Sequence, residues 1–327
     1  MPHTSSSGTQ FRWETGDRPK SFQRPMPRLP ELRNSIAERE ALAGGNDIVK
    51  MQPAASSAKS DQTREGRLAV PGDVCDEFEA GLKAANEKYS RLLTLAERCL
   101  AAGKSASAVR LAEIAARLAF PGQVGLFASP RLERLLCQLG RQIPGSPESP
   151  VRPAVGRRRQ VIHVMTYAKP LGGDSRFVWR WIQQDRESCH SVAITSQSEP
   201  DNVYQIPEVL TEAVTRSGGF VRALQEPMSD PLAQGGELRE LCRGADIILL
   251  HLYPYDVVPT LALVAGCGQA KVGFVHHADH AFWVGSSVSD WIVHLREQDD
   301  EFLRKRRGLD SRRSSIVPIP LGDWSYR

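Results

Sequence analysis

The chain lacks the segments that would carry it into or across a membrane. Across its 327 residues, the apolar runs are far shorter than the roughly 20 apolar residues that a membrane-spanning helix needs. Met1 does not begin the basic, apolar and small-residue pattern of a secretory signal. The sequence therefore predicts a soluble, cytoplasmic protein.

Cysteine is scarce and scattered. The 6 cysteines occur singly, with neither a CxxC pair nor a regular spacing, at Cys75, Cys99, Cys137, Cys189, Cys242 and Cys267. A disulfide framework or a zinc ribbon would need closely paired cysteines. We therefore expect reduced, mostly buried thiols.

The chain has no large excess of charge of either sign, because its net charge is only +4. The basic residues concentrate at 157–159 and at 304–307, and they are not interleaved with aromatic residues as in known nucleic-acid-binding modules. This excludes nucleic acid as the expected partner. The 304–307 cluster ends a charged helix, where we expect a solvated face, with contact to an anionic membrane surface as the alternative.

Aliphatic side chains are few in residues 1–73, which are rich in Pro, Ser, Arg and Gly. Such a segment buries too little apolar surface to offset the entropy lost on folding, so the sequence predicts a disordered tail. Residues 144–159 are rich in proline and arginine and predict a linker.

Between tail and linker, residues 74–143 predict an α-helical module. The segment is rich in Ala, Leu, Glu and Arg, and Gly103 separates its first two helices. Ser129 and Pro130 begin the third helix as the N-cap and the first helical residue. No second copy occurs at a fixed period, so we expect a small packing or docking module and no solenoid.

Residues 160–327 alternate apolar strands with helices. Strands are predicted at 160–166, 191–195, 245–252, 271–277, 290–295 and 314–320. Alternation at these lengths is typical of an α/β fold with a single, doubly wound, mostly parallel sheet. The predicted domain is Rossmann-like, and no residues remain for a second one.

The segment from Lys271 to Asp290 is the most informative in the chain. It places His276, His277, Asp279 and His280 directly after a strand, where an open α/β sheet presents its carboxyl edge to a ligand. Three interpretations stay open for these histidines: contact with sugar or phosphate, a metal site, and structural hydrogen bonding. The Glu of an HExxH zinc motif is missing.

Two other histidines end or occupy strands. His251 ends a buried strand beside Tyr253 and Tyr255, where a structural and a functional role are both open. His163 lies within the first strand, and we expect it to be structural. Phe282 and Trp283 lie in the polar loop, and they are the aromatic residues that we expect to contact a sugar.

The order of these motifs resembles a known family. PLGGDSRFVWRW after the first strand, ADIILLHLYPYD, VGFVHHADHAFWVG and a final IVPIPL resemble the N-terminal half of GT-B glycosyltransferases of the family 4 (group 1) kind. The resemblance spans residues 160–320. It implies that Gly172, Gly173, Asp174 and His251 bind substrate. It also implies that His276, His277, Asp279 and His280 shape the acceptor pocket and are the catalytic residues, because a histidine can act as an acid or a base near neutral pH.

In that family the donor lies mainly on a second, C-terminal domain with an Arg/Lys pair and a Glu-x7-Glu pattern. This sequence stops at Arg327. The resemblance therefore implies a sugar transferase that is inactive unless a partner chain supplies the donor-binding domain. No cofactor and no metal are expected, and the nucleotide sugar would be a substrate.

Two other functions remain open from the sequence. The first is a non-catalytic binding or scaffold protein that docks a partner through the helical module. The second is a metal-dependent hydrolase that uses the loop of His276 and His280.

Overall fold

The computed structural model describes residues 72–144, 157–199, 202–224, 230–278, 280–296 and 299–319. The predicted tail lies outside the described residues, apart from Gly72 and Asp73, which begin the first helix. Residues 145–156 of the predicted linker and the predicted site residue Asp279 also lie outside them.

Three helices form the N-terminal module: α1 (Gly72–Ala101), α2 (Ser105–Ala119) and α3 (Pro130–Gly140). The start of α3 is as predicted, because the Oγ of Ser129 accepts a hydrogen bond of 3.2 Å from the backbone N–H of Leu132. Pro130 occupies the first turn, where its missing N–H costs nothing.

The rest of the described chain alternates strands and helices. The strands are β1 (Arg159–Met165), β2 (Ser188–Ile194), β3 (Ser198–Glu199), β4 (Asn202–Val203), β5 (Val221–Ala223), β6 (Ile247–His251), β7 (Lys271–His276), β8 (Trp291–His294) and β9 (Ser314–Ile316). The helices are α4 (Gly173–Gln184), α5 (Glu208–Ser217), α6 (Pro231–Leu241), α7 (Val258–Leu263) and α8 (Asp299–Arg307).

Seven strands form one sheet in the order β5-β2-β1-β6-β7-β8-β9, and each neighbouring pair is parallel. This confirms the α/β fold with a single parallel sheet. The six predicted strands are present. The short edge strand β5 and the hairpin of the two-residue strands β3 and β4 were not predicted from the sequence. Strand β5 has three residues, none of them buried, so it carries no apolar pattern.

The strand order reverses between β1 and β6, which lie side by side with Met165 opposite His251. In an open α/β sheet, connections leave in opposite directions at such a point, and a crevice opens beyond the carboxyl ends of the two strands. A binding site is therefore expected at the loops that follow β1 and β6.

Helices cover both faces of the sheet. Helices α4 and α5 cover one face, where Val178, Ile182 and Leu210 pack against apolar residues of β1 and β2. The other face packs against α6 and α7 through Leu238 and Ala262. Side chains at alternate strand positions therefore divide between two cores, as a doubly wound sheet requires.

The helical module is joined to this second face by a shared core. Leu132 and Leu136 of α3 belong to one apolar cluster with Leu261 of α7 and with Phe282 and Val284. A Cβ added to Gly140 would lie 2.5 Å from the backbone oxygen of Leu261. Helix α3 therefore packs so closely against α7 that only glycine fits at position 140.

Glu133 fixes α3 to the loop before β8. Its carboxylate accepts hydrogen bonds from the backbone N–H groups of Gly285 at 2.7 Å and Ser286 at 3.1 Å, and from the hydroxyl of Ser287. The side chain is almost fully buried. A buried carboxylate needs several donors, and backbone donors of this loop supply them.

Arg239 of α6 joins helices α3 and α7 through hydrogen bonds. Its buried guanidinium donates hydrogen bonds to the carbonyl oxygens of Ala262 at 2.8 Å and of Ile143 and Gly140 at 2.9 Å. These oxygens lie at the C-terminal ends of α7 and α3, which carry partial negative charge. One buried cation thus satisfies carbonyl groups that the helices leave open.

Two expectations from the sequence need correction. Among the described cysteines, Cys242 is buried, whereas Cys99, Cys137, Cys189 and Cys267 are partly exposed. In the 304–307 cluster, Arg304, Lys305 and Arg306 are exposed as expected, but Arg307 is buried. The Arg307 guanidinium donates to the carbonyl oxygens of Phe127 and Ala281 and lies 4.7 Å from the ring centre of Trp283.

None of the described helices combines the length and the apolar character needed to cross a membrane.

Candidate functional site

The glycine turn after β1, formed by Gly172 and Gly173, lies beside His277, which directly follows β7. Gly172 is the N-cap of α4, and Asp174 lies in the first turn of that helix. The Oδ1 of Asp174 is 3.4 Å from the Nδ1 of His277. A Cβ placed on Gly173 would have no heavy atom within 4 Å, so the helix N-terminus borders open space. A positive helix end beside open space suits an anion or a sugar hydroxyl.

His251, the last residue of β6, contacts His277 from the sheet side. Its Nδ1 lies 3.2 Å from the Nε2 of His277. Burial lowers the pKa of His251 well below its usual value, and the neighbouring rings of His163 and His277 lower it further. Burial also lowers the pKa of His277, although Asp174 opposes this. Gly172, Gly173, Asp174, His251 and His277 are therefore brought together.

The other predicted site residues lie elsewhere. His276 points to the opposite face of the sheet, where its ring centre is 5.6 Å from that of Trp283 and 5.6 Å from that of His294. Trp283 stacks on Phe274 at 4.0 Å, and Phe282 is buried in the core of the helical module. A sugar could reach these rings only after the loop moved. His280 is exposed.

A polar cleft opens at the switch point, beyond the carboxyl ends of β1, β2 and β6. The space between its lining residues is about 550 Å³ when the part open to solvent is included. The sheet side contributes Thr166, Thr195 and Asp256, and the helical module contributes a wall from α2 with Arg110, Glu113 and Arg117. The module therefore shapes a cavity at the edge of the sheet where ligands bind in this class of fold.

Asp256 lies at the base of the cleft and is almost fully buried. Its Oδ2 accepts hydrogen bonds from the hydroxyls of Thr166, at 2.7 Å, and Thr195, and its Oδ1 accepts one from the N–H of Val258 at 3.1 Å. Burial raises the pKa of Asp256 above its usual value, outweighing these hydrogen bonds, and Glu113 raises it further. A carboxyl group with a raised pKa in a cleft is suited to accept or donate a proton.

The wall from α2 carries a network of charges. Glu113 accepts hydrogen bonds from Arg117 at 3.1 and 3.2 Å and from Arg110 at 3.5 Å. The guanidinium of Arg117 also lies 4.5 Å from the ring centre of Tyr255. Two guanidinium groups facing the sheet edge suit a ligand that presents several oxygen atoms.

A lysine and three tyrosines form the neighbouring rim. The Nζ of Lys169 lies 4.2 Å from the ring centre of Tyr204, 4.7 Å from that of Tyr167 and 4.8 Å from that of Tyr253. It also donates a hydrogen bond of 3.1 Å to the hydroxyl of Tyr253. The three rings hold this cation beside the glycine turn.

The sequence reading missed Asp256 and the α2 wall. Asp256 follows the strand at 245–252 by four residues, which is the same signal that drew attention to the histidine loop. No sequence pattern marked the α2 wall. Glu113 and Arg117 look like ordinary helix-surface residues in the sequence, and only the fold shows that they face the sheet.

Within the described residues, no three His, Cys, Asp or Glu side chains are arranged to hold a metal ion. No family model matches the chain, and no curated protein matches it. Among solved structures, a mutant of the Thermobaculum terrenum O-GlcNAc transferase is similar over 65% of this chain, at 16% identity and a TM-score of 0.33. The match spans only 42% of that protein. A likeness at this level carries no argument about function.

Proposed function

We propose that the switch-point cleft is the acceptor site of a glycosyltransferase of the GT-B type. An acceptor hydroxyl would bind between Asp256 and the arginines of α2. Its oxygen would form a bond to the anomeric carbon of a nucleotide sugar as the bond from that carbon to the phosphate oxygen breaks. The proton of the hydroxyl would pass to Asp256, and the nucleoside diphosphate would leave.

The observation that carries this proposal is the buried carboxyl group of Asp256. Its raised pKa and its place at the base of an open cleft suit a group that exchanges a proton with a bound hydroxyl. Arg117 and Tyr255, stacked at 4.5 Å, offer a cationic and an aromatic surface of the kind that sugars contact. The family 4 likeness is carried by the sequence motifs alone.

A donor-binding domain would come from another part of the protein or from a partner chain. The diphosphate of the donor needs cationic or backbone N–H groups as the leaving charge develops. Gly172 and Gly173 would provide N–H groups at the start of α4, and the rest would come from the donor-binding domain. We therefore expect this chain to bind acceptor but to leave nucleotide sugars intact on its own.

The test uses the full chain and its variants Asp256→Asn and Asp310→Asn. The second is a matched control, because Asp310 is exposed and pairs with Arg312 at 2.6 Å. Binding of methyl hexosides and methyl N-acetylhexosaminides is followed by saturation-transfer NMR, with and without UDP. Release of UDP from UDP-sugars is measured in parallel.

We expect at least one glycoside to bind the unchanged chain and Asp310→Asn alike, and to bind Asp256→Asn about tenfold more weakly because a charge-assisted hydrogen bond is lost. Absence of glycoside binding, or equal binding by Asp256→Asn, would overturn the acceptor site. UDP release by the chain alone would overturn the need for a donor-binding domain.

A further inference from the structure

Cys242 and Cys267 come together at the edge of the sheet that lies opposite the cleft. Cys242 is the C-cap of α6 and precedes β6, and Cys267 lies in the loop between α7 and β7. Strands β6 and β7 are parallel neighbours, with Ile247 opposite Lys271. Segments that lead into neighbouring parallel strands meet at the amino edge of a sheet, whereas the cleft lies beyond the carboxyl ends. The topology therefore pairs two cysteines that are distant in the sequence.

The two side chains contact each other in the core between the sheet and helices α6 and α7. Cys242 is fully buried in an apolar cluster against which Cys267 packs. A hydrogen bond joins the two side chains, and the structure holds both as thiols. Sulfur atoms in hydrogen-bond contact need only a short approach to reach the length of a disulfide bond.

The loop around Cys267 gives the solvent access to one of the two thiols. Cys267 is partly exposed and lies between Gly266, with a φ of 81°, and Gly268, with a φ of 66°. Only glycine adopts this left-handed conformation readily. A Cβ on either glycine would have no heavy atom within 4 Å, so the loop borders open space. A small molecule dissolved in water therefore reaches Cys267, and it reaches the buried Cys242 only through Cys267.

We propose that Cys242 and Cys267 are a modification site that forms a reversible disulfide bond when the chain meets a peroxide. The site lies on the far side of the sheet from the cleft. Its existence does not depend on the proposed sugar transfer.

Each step of the oxidation balances. The thiolate of Cys267 attacks one oxygen of hydrogen peroxide, the O–O bond breaks, and the other oxygen leaves as water after it takes up the proton that the thiol released. Cys267 is then a sulfenic acid. The sulfur of Cys242 attacks the sulfur of Cys267, the S–S bond forms as the S–O bond breaks, and the thiol proton of Cys242 completes a second water. The two thiols lose two electrons, and the peroxide gains them.

The two thiols have different roles in this reaction. The hydrogen bond with Cys267 raises the pKa of the Cys242 thiol well above its usual value, and burial raises it further. A thiol that keeps its proton reacts slowly with peroxide, so the first attack falls to the accessible Cys267. Cys242 then acts as the neighbouring thiol that converts the sulfenic acid into a disulfide before further oxidation occurs.

The disulfide would close a loop from residue 242 to residue 267. This loop contains β6, helix α7 and Asp256 at the base of the cleft. A cross-link that fits the native geometry restricts the unfolded chain and therefore stabilises the fold. Oxidation at one edge of the sheet would thus stabilise the segment that carries the cleft at the other edge.

Peptide mapping of the full chain tests the bond directly. Trypsin cleaves after Arg239, Arg243 and Lys271, so that Cys242 falls in the peptide 240–243 and Cys267 in the peptide 244–271, each without another cysteine. The chain is treated with hydrogen peroxide, the remaining thiols are alkylated, and the digest is analysed by mass spectrometry. We expect the two peptides linked, with a loss of two hydrogen atoms that dithiothreitol reverses. Overoxidised Cys267 beside alkylated Cys242, with no linked peptides, would overturn the proposal.

The variant Cys267→Ser removes the accessible thiol, and Cys189→Ser is its control, because Cys189 is also partly exposed. We expect Cys189→Ser to form the linked peptides to the same extent as the unchanged chain. In Cys267→Ser, Cys242 should stay a thiol at the same dose of peroxide. Equal oxidation of Cys242 in both variants would contradict the role of Cys267, and loss of the link in Cys189→Ser would contradict the pairing.

Urea unfolding of the oxidised and reduced chain gives an independent test. We expect the oxidised chain to unfold at a higher urea concentration, and peroxide treatment of Cys267→Ser to leave its midpoint unchanged. A midpoint that is equal or lower in the oxidised chain would show that the fold does not place the two sulfur atoms for a bond.

Discussion

The hydroxyl of Thr166 donates a hydrogen bond of 2.7 Å to the Oδ2 of Asp256, and in turn accepts one of 2.9 Å from the N–H of Tyr253. A single side chain at the end of β1 thus fixes the loop after β6. The cleft owes its base to this bridge, because Asp256 would otherwise lose one of its two hydroxyl donors.

Replacing Thr166 by valine tests the bridge. The change keeps the shape and removes the hydroxyl, so we expect a loss of about 1 to 3 kcal/mol in the free energy of unfolding, because a buried carboxylate and a backbone N–H each lose a partner. Urea unfolding measures it. Thr211→Val on the exposed surface of α5 is the control, and an equal effect of both variants would contradict the prediction.

Replacing Glu133 by glutamine tests the contact between α3 and the loop before β8. One acceptor oxygen becomes a donor that faces backbone N–H groups, so we expect a loss of about 1 to 3 kcal/mol and faster amide exchange at Gly285 and Ser286. Glu87→Gln is the control, because Glu87 is an exposed residue of α1. Unchanged exchange at Gly285 would contradict the role of the carboxylate.

Replacing Arg239 by methionine removes the guanidinium that donates hydrogen bonds to four buried carbonyl oxygens, those of Ala262, Leu261, Ile143 and Gly140. We expect a loss of about 3 kcal/mol or more, measured by urea unfolding, and faster proteolysis within α3. Arg243→Met is the matched control, since Arg243 lies nearby, is exposed and pairs with Glu240 at 2.7 Å. A cost below that of the control would show that the guanidinium does not hold α3 and α7 together.

Acid should destabilise the fold through three histidines of the sheet, His163, His251 and His277. The pKa values of His163, His251 and His277 are lowered in the folded state, so between the folded values and the usual value of about 6.5 the unfolded chain binds more protons. The free energy of unfolding then falls as the pH falls below about 6.5, with a slope approaching three protons, or about 4 kcal/mol per pH unit.

Unfolding in urea across this pH range measures the slope. His163→Asn removes one of the three groups and should lower it by about 1.4 kcal/mol per pH unit, whereas His280→Asn, at an exposed side chain, should not. A flat profile between pH values of about 6.5 and 5 would contradict the prediction.

The sheet could be predicted because its strands carry continuous apolar runs such as IILLH in β6. The end of β1 could be predicted from its apolar run, and the start of α4 could be predicted from the paired glycines that follow the strand. Strand β5 was not, because its three residues lie at an edge of the sheet and none of them is buried.

The site was harder to predict, because its members meet only after folding. The sequence drew attention to four polar residues at 276–280, but His276 and His277 point to opposite faces since neighbouring residues along a strand alternate. His163 looked like an isolated residue within a strand, and His190 was not singled out, because the predicted strand began at residue 191. Only the parallel register, with Val161 opposite His190 and Met165 opposite His251, lines up their rings.

The wall that α2 contributes to the cleft belongs to a segment that precedes the sheet in the chain. If the cleft binds an acceptor as proposed, part of the ligand preference would be encoded outside the α/β fold, in Arg110, Glu113 and Arg117, which line the cleft. Exchanging the outward-facing residues of a single helix would redesign the entrance while leaving every strand untouched.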